Sequence, residues 1–146
     1  MKSPKQHPTP PFLMAQIGAL YLESYRACGS RFREQNFPLD FDQVPVLLLL
    51  HYGGAASQQE IYTKLQRDKA SVNRTVASLT KKGFTTVKPD SEDKRKTIVE
   101  LTPLGKNLAK QGHAILEKYD NMLSSNLTPK ERQLFSDLIG KLNIQS

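Results

Sequence analysis

The chain has 146 residues, 38% hydrophobic and 24% charged, and its 21 Lys and Arg against 14 Asp and Glu give a net charge of +7. That size fits one domain or one compact subunit of an oligomer. A single cysteine, Cys28, excludes an internal disulfide framework and fits a reducing cytoplasm, and no run approaches the ~18 apolar residues that span a bilayer.

The first residues, MKSPKQHPTPPF, have no apolar signal region, and Pro4, Pro8, Pro10 and Pro11 predict an extended tail over residues 1–11. A first helix is expected from Pro11 or Phe12, with Leu13, Ile17, Leu20, Tyr21, Ser24 or Tyr25, Cys28 and Phe32 on one 3.6-residue stripe. It is longer than a small domain needs for its own core, and Asn36-Phe37-Pro38 ends it. Asp40 is expected to cap a second helix, with Gln43 at its third position. The body of that helix, VPVLLLLHY, is apolar nearly all round and therefore buried. Pro45 lies deep for a first turn and predicts an irregular or late start, and Gly53-Gly54 closes the helix.

Ser57 caps a third helix with Ile61 and Leu65 inward, and Asp68 caps a fourth whose buried stripe is Val72, Val76 and Leu79. Gly83 stops the fourth helix. Two β segments follow, Phe84 to Lys88 and Thr97 to Leu101, joined by a turn over Pro89 to Asp93. Thr102-Pro103 opens a fifth helix carrying Leu104, Leu108, Ile115, Leu116, Tyr119, Met122 and Leu123. The capping box Thr128-Pro129-Lys130-Glu131 opens a sixth, with Leu134, Phe135, Leu138, Ile139 and Leu142 inward. The fold class is mainly α with a small β wing.

A short helix, a basic second helix and a charged hairpin are the parts of a winged helix-turn-helix, which reads duplex DNA with one helix in the major groove. The charge agrees. Between Lys64 and Lys106 stand 11 basic residues against five acidic ones, so nearly the whole surplus sits on this unit, the footprint of a polyanion binder. With Val72, Val76 and Leu79 inward, Lys69, Asn73, Arg74 and Ser78 point outward and Ser71 and Thr75 lie at the margin. Asn pairs two-pronged with adenine and Arg with guanine, while Ser and Thr bond phosphates or bases. Lys94, Arg95 and Lys96 sit at the hairpin tip, where a long cation reaches the negative potential of a narrow A·T-rich minor groove. Asp93 stands two positions before Arg95, placed to orient its guanidinium.

The run from Asp93 to Gly105, Asp-x-Arg followed by Leu-Thr-x-x-Gly, resembles the wing signature of the MarR family of bacterial transcription regulators. Leu39-Asp40-Phe41-Asp42-Gln43 with Leu47 and Leu50, Ser57 to Ile61, Asp68 to Val72, Leu79-x-x-Lys82-Gly83-Phe84, and Leu127-Thr128-Pro129 with Glu131 extend the resemblance over about residues 12 to 143. The resemblance implies a homodimer whose first and last helices intertwine. Residues 12–36 and 104–146 would be dimerisation helices and 37–103 the DNA-binding lobe. Two lobes would read a pseudo-palindromic operator, with recognition helices in successive major grooves and wings in flanking minor grooves. Carried over by position, Ser71, Asn73, Arg74 and Thr75 would be recognition-helix contacts. Arg95 would be the minor-groove finger oriented by Asp93, and Ser57 and Gln58 would be phosphate contacts.

Many members of the family release DNA when a small aromatic or phenolic compound binds between the dimerisation helices and the winged lobe, others when a cysteine is oxidised, and Leu13, Ile17, Tyr21, Tyr25 and His51 are the candidates to line such a crevice. Core and dimer packing is the plainer reading of each. In the peroxide-sensing branch the reactive cysteine lies near the start of the first helix, where this chain has Ile17, so the resemblance argues against Cys28 as that sensor. His7, His51 and His113 have no metal-ligand spacing, and no metal or cofactor is expected. No glycine-rich phosphate loop or nucleophile motif points to an enzyme. The expected function is a sequence-specific dimeric DNA-binding regulator, most simply a repressor; the alternative is a winged-helix module for nonspecific DNA binding or protein interaction.

Overall fold

The computed structural model describes residues 11–142, and the expected tail over residues 1–11 lies outside them but for Pro11. The chain divides into two compact units, residues 1–42 and 43–146.

In the first unit, helix α1 runs Leu13–Glu34. Asn36 takes a left-handed φ of 53°, and Phe37 N–H then bonds back to the Phe32 carbonyl at 3.0 Å, a helix stop that glycine usually provides. Phe32 is buried and meets Phe37 edge-on at 4.8 Å between ring centroids. Phe41 stacks at 5.1 Å on Phe32 and 4.8 Å on Tyr25. The N-terminal half of α1 has no such cover: Leu13, Met14, Ile17, Leu20, Tyr21 and Leu22 are all exposed.

The second unit opens on helix α2, Val44–Gly53. The expected cap at Asp40 is not used. A 3-10 turn, Phe41–Gln43, precedes the helix, and Gln43 is its N-cap. The reason is Pro45. A helix begun after Asp40 would place the proline ring against a carbonyl one turn back, whereas a start at Val44 puts it in the first turn, where its missing N–H costs nothing. Val44, Val46, Leu47, Leu48 and Leu50 are buried, and Gly54, at a φ of 79°, ends the helix.

Around α2 pack β1 (Ala56–Ser57), α3 (Gln58–Leu65), α4 (Lys69–Lys81), β2 (Thr85–Pro89), β3 (Thr97–Leu101) and α5 (Pro103–Leu123). The sheet has three strands in the order β1-β3-β2. Two were expected; the third is the pair of residues before α3, with Ala56 opposite Val99 and Ser57 opposite Ile98. Val87 pairs with Val99 in the β2–β3 register. Leu47, Ile61, Val72, Leu79 and Val99 are fully enclosed and form the core beneath the recognition helix.

Helix caps follow the expected chemistry. Ser57 and Glu60 form a reciprocal capping box on α3, and Thr128 and Glu131 form another on α6, Pro129–Lys141. Asp68 Oδ1 accepts the Ser71 N–H at 2.7 Å. Thr102 Oγ1 accepts from Gly105 N–H at 3.0 Å and donates to the Gly83 carbonyl at 2.6 Å, so one hydroxyl ties the end of the recognition helix to the start of α5.

The inward placement expected for the sixth helix is not found within the single chain. Leu134, Phe135, Leu138, Ile139 and Leu142 are about half exposed, and Leu104, Met122 and Leu123 of α5 are exposed as well. Their helical spacing marks an apolar face, and among the described residues of this unit nothing covers it. No helix among the described residues is long and apolar enough to cross a membrane.

Candidate nucleic-acid interface

The recognition helix is α4. Its buried stripe is Val72, Thr75, Val76 and Leu79, one residue wider than expected. Thr75 is 6% exposed because it lies three and four residues from Val72 and Leu79, on the face turned to the core. The placement of Thr75 as a marginal contact is corrected to a core position. Lys69 and Arg74 are exposed, and Ser71, Asn73 and Ser78 partly so. Asn73 Oδ1 is buried without a hydrogen-bond partner; two-pronged pairing with adenine uses that oxygen, so the amide must turn before it can pair in that way. Ala70 and Ala77, missed in the sequence, are exposed in line with Arg74. Opposition to the buried stripe could have found them, and small apolar residues there admit close contact with thymine methyl groups.

The wing loop spans Asp90 to Lys96. Its ends are tied by Asp90 N–H to the Lys96 carbonyl, and its tip by Lys96 N–H to the Asp93 carbonyl, both at 2.9 Å. Asp93 Oδ1 accepts from the Arg95 backbone N–H at 3.1 Å and from its Nε at 3.3 Å. The Arg95 side chain is nonetheless 94% exposed. Lys94 and Lys96 are exposed beside it. On the strands below, Lys88 is paired with Glu100 at 3.3 Å, so the cationic character concentrates at the tip.

Between wing and helices lies an open cavity of about 250 Å³, lined by Ser57, Gln58, Gln59, Tyr62, Lys69, Arg95, Lys96 and Thr97. It brings together five of the expected residues from β1, α3, α4 and the wing loop and adds Gln59, Tyr62 and Thr97, which no local sequence signal set apart. Ser57 lines the cavity but is 8% exposed, and its hydroxyl oxygen accepts the Glu60 N–H at 3.1 Å. Ser78 stands near the other end of α4, away from this cavity.

The candidate ligand residues divide between the units. Leu13, Ile17, Tyr21 and Tyr25 lie on α1, where the two tyrosine rings are 5.9 Å apart. His51 lies on α2 and lines a different cavity, of about 270 Å³, with Glu100, Lys106 and Lys110. Cys28 is buried, and burial pushes its thiol above the usual range while Arg31 partly offsets the shift. Among the described residues no group of three or more His, Cys, Asp or Glu is placed to hold a metal ion.

Residues 42–97, which contain the helix-turn-helix and most of the wing, match the MarR family. Over this segment the chain is similar to the MarR family. It is 27% identical over 100 residues to the uncharacterized HTH-type transcriptional regulator YdgJ of Bacillus subtilis, a match covering 68% of this chain and 61% of YdgJ. Its fold superposes on that of a mutant E. coli MarR complexed with operator DNA, with a TM-score of 0.76, 23% identity and 88% and 91% of the two chains covered. It also superposes on Bordetella bronchiseptica BpsR, whose DNA binding is regulated by 6-hydroxynicotinic acid, with a TM-score of 0.70, 27% identity and coverage of 86% and 97%.

Proposed function

We propose that this chain acts as a homodimeric, sequence-specific repressor that releases its operator when a small aromatic or phenolic ligand binds. The observation that carries the DNA reading is the pairing of an exposed recognition-helix face, Lys69 and Arg74, with a wing tip at which Asp93 holds Arg95. Bases are read by side chains in the major groove, and an extended arginine suits a narrow minor groove. Residues 12–36 and 104–146 would form the dimerisation helices and 37–103 the DNA-binding lobe. The exposed apolar residues of α1 and α6 support a second copy as their cover. The operator complex of E. coli MarR and the ligand regulation of BpsR support the DNA and effector parts by analogy.

The test is selection of tight binders from random duplex DNA, followed by affinity measurements at two salt concentrations. A pseudo-palindrome with half-sites about one helical turn apart is the expected result. Salt-sensitive binding with no enriched sequence would replace this reading with a nonspecific coating role, and absence of binding would replace it with protein interaction.

A further inference from the structure

A recognition helix in the major groove and a wing in the minor groove address opposite sides of one sugar–phosphate strand, so that strand must run between them. What lies between them here is the cavity of about 250 Å³ below the wing. Lys69 at the first position of α4, Arg95 and Lys96 of the wing, and Gln59 and Tyr62 of α3 all line it. Three cations line it, one of them, Arg95, paired with Asp93, and no carboxylate is among the lining residues. Three other cavities among the described residues differ in carrying an acid: Glu117 in one, Glu100 in another, and Glu117 with Asp120 in a third. Cations joined by neutral donors, with no acid among them, suit an oxyanion.

We propose that this cavity seats one phosphate of the strand passing between recognition helix and wing, and that Tyr62 and Gln59 are positioning residues that hold it beside Lys69 and Lys96. This rests on the DNA reading above and adds the division between phosphate and base contacts. Phosphate contacts fix register without carrying sequence. A lysine there releases a counterion on binding, whereas a phenol or an amide does not. The two kinds of residue therefore leave different signatures.

The experiment uses the full chain and the duplex recovered by selection. Tyr62→Phe is expected to weaken binding roughly tenfold, on selected and random duplex alike, with the salt slope unchanged. Lys69→Gln is expected to flatten the log–log salt slope by about 0.9. Methylphosphonate placed one position at a time in the duplex should reveal one phosphate whose neutralisation weakens the natural chain but not the Tyr62→Phe, Lys69→Gln double variant. Circular dichroism and thermal melting of the double variant confirm that it is folded before the comparison. Unchanged affinity of Tyr62→Phe, or equal losses in natural chain and double variant at every position, would overturn the phosphate seat while leaving specific DNA binding intact. A natural chain that binds no duplex would overturn both.

Discussion

Asp93 holds Arg95 at two points, accepting from its backbone N–H at 3.1 Å and its side-chain Nε at 3.3 Å, yet the arginine side chain is 94% exposed. An exposed pair of this kind contributes only ~0–1 kcal/mol to folding, so its geometry serves orientation. Arg95→Ala is expected to leave the melting temperature unchanged and to weaken operator binding by about 1–3 kcal/mol, with loss of preference for A·T flanks. Asp93→Ala should do the same more weakly, since the cation remains but its direction is lost. Titration of matched duplexes with A·T and G·C flanks, at fixed salt, checks both. Equal affinity of natural chain and Arg95→Ala would remove the wing from the minor groove.

Gly105 is set by a different constraint. A Cβ built there would stand 2.0 Å from the Phe84 carbonyl oxygen, which itself accepts the Thr102 N–H at 3.0 Å. The obstruction is backbone, so no rotamer change relieves it, and relief requires lifting the first turn of α5 off the start of the wing. Gly105→Ala is expected to destabilise the fold by about 3 kcal/mol or more. Denaturant unfolding of the two chains measures this directly, and a difference under about 1 kcal/mol would mean that the junction yields easily.

Local chemistry was legible in the sequence because it is decided within a few residues. The caps at Ser57, Asp68, Thr102 and Thr128 each form, since an oxygen and an N–H three positions on need no distant partner. Apart from the Asp40 cap, displaced by nearby Pro45, the misses needed distant partners. Ala56 and Ser57 are a strand only because β3 pairs with them. Thr75 reads as polar, but the neighbours on its face bury it. Gln59 and Tyr62 join the candidate site because the wing folds back over α3. The apolar spacing of α6 marked a face to be covered without saying by which chain.

Cys28 is expected to be silent as a redox sensor. The thiolate is the reactive form, and burial raises this thiol above its ordinary range against a smaller opposing effect of Arg31. Peroxide should leave operator affinity unchanged at neutral pH, and labelling by thiol reagents should be slow in the native chain and rapid in denaturant. A raised folded-state value means that the stability contributed by the protonated thiol is fully present below the ordinary thiol range and is lost as pH rises through the folded value. The natural chain should therefore lose stability on the alkaline side more steeply than Cys28→Ala. Rapid native labelling at neutral pH would contradict this account.

Helix α6 poses the sharpest question of assembly. Leu134, Phe135, Leu138 and Ile139 repeat at helical spacing and stay about half exposed in a single chain, although full burial of each such side chain is worth about 1.5–3 kcal/mol. A substitution there should cost the single chain little and an assembled dimer much. Leu138→Glu is expected to keep the helical circular dichroism of the natural chain, to sediment as a monomer at concentrations where the natural chain is a dimer, and to lose operator binding with the second half-site contact. A charge left in a dry interface has no partner and costs several kcal/mol, so partial weakening is not expected. A Leu138→Glu chain that sediments as a dimer and binds operator normally would place the contact surface elsewhere, on the exposed apolar half of α1.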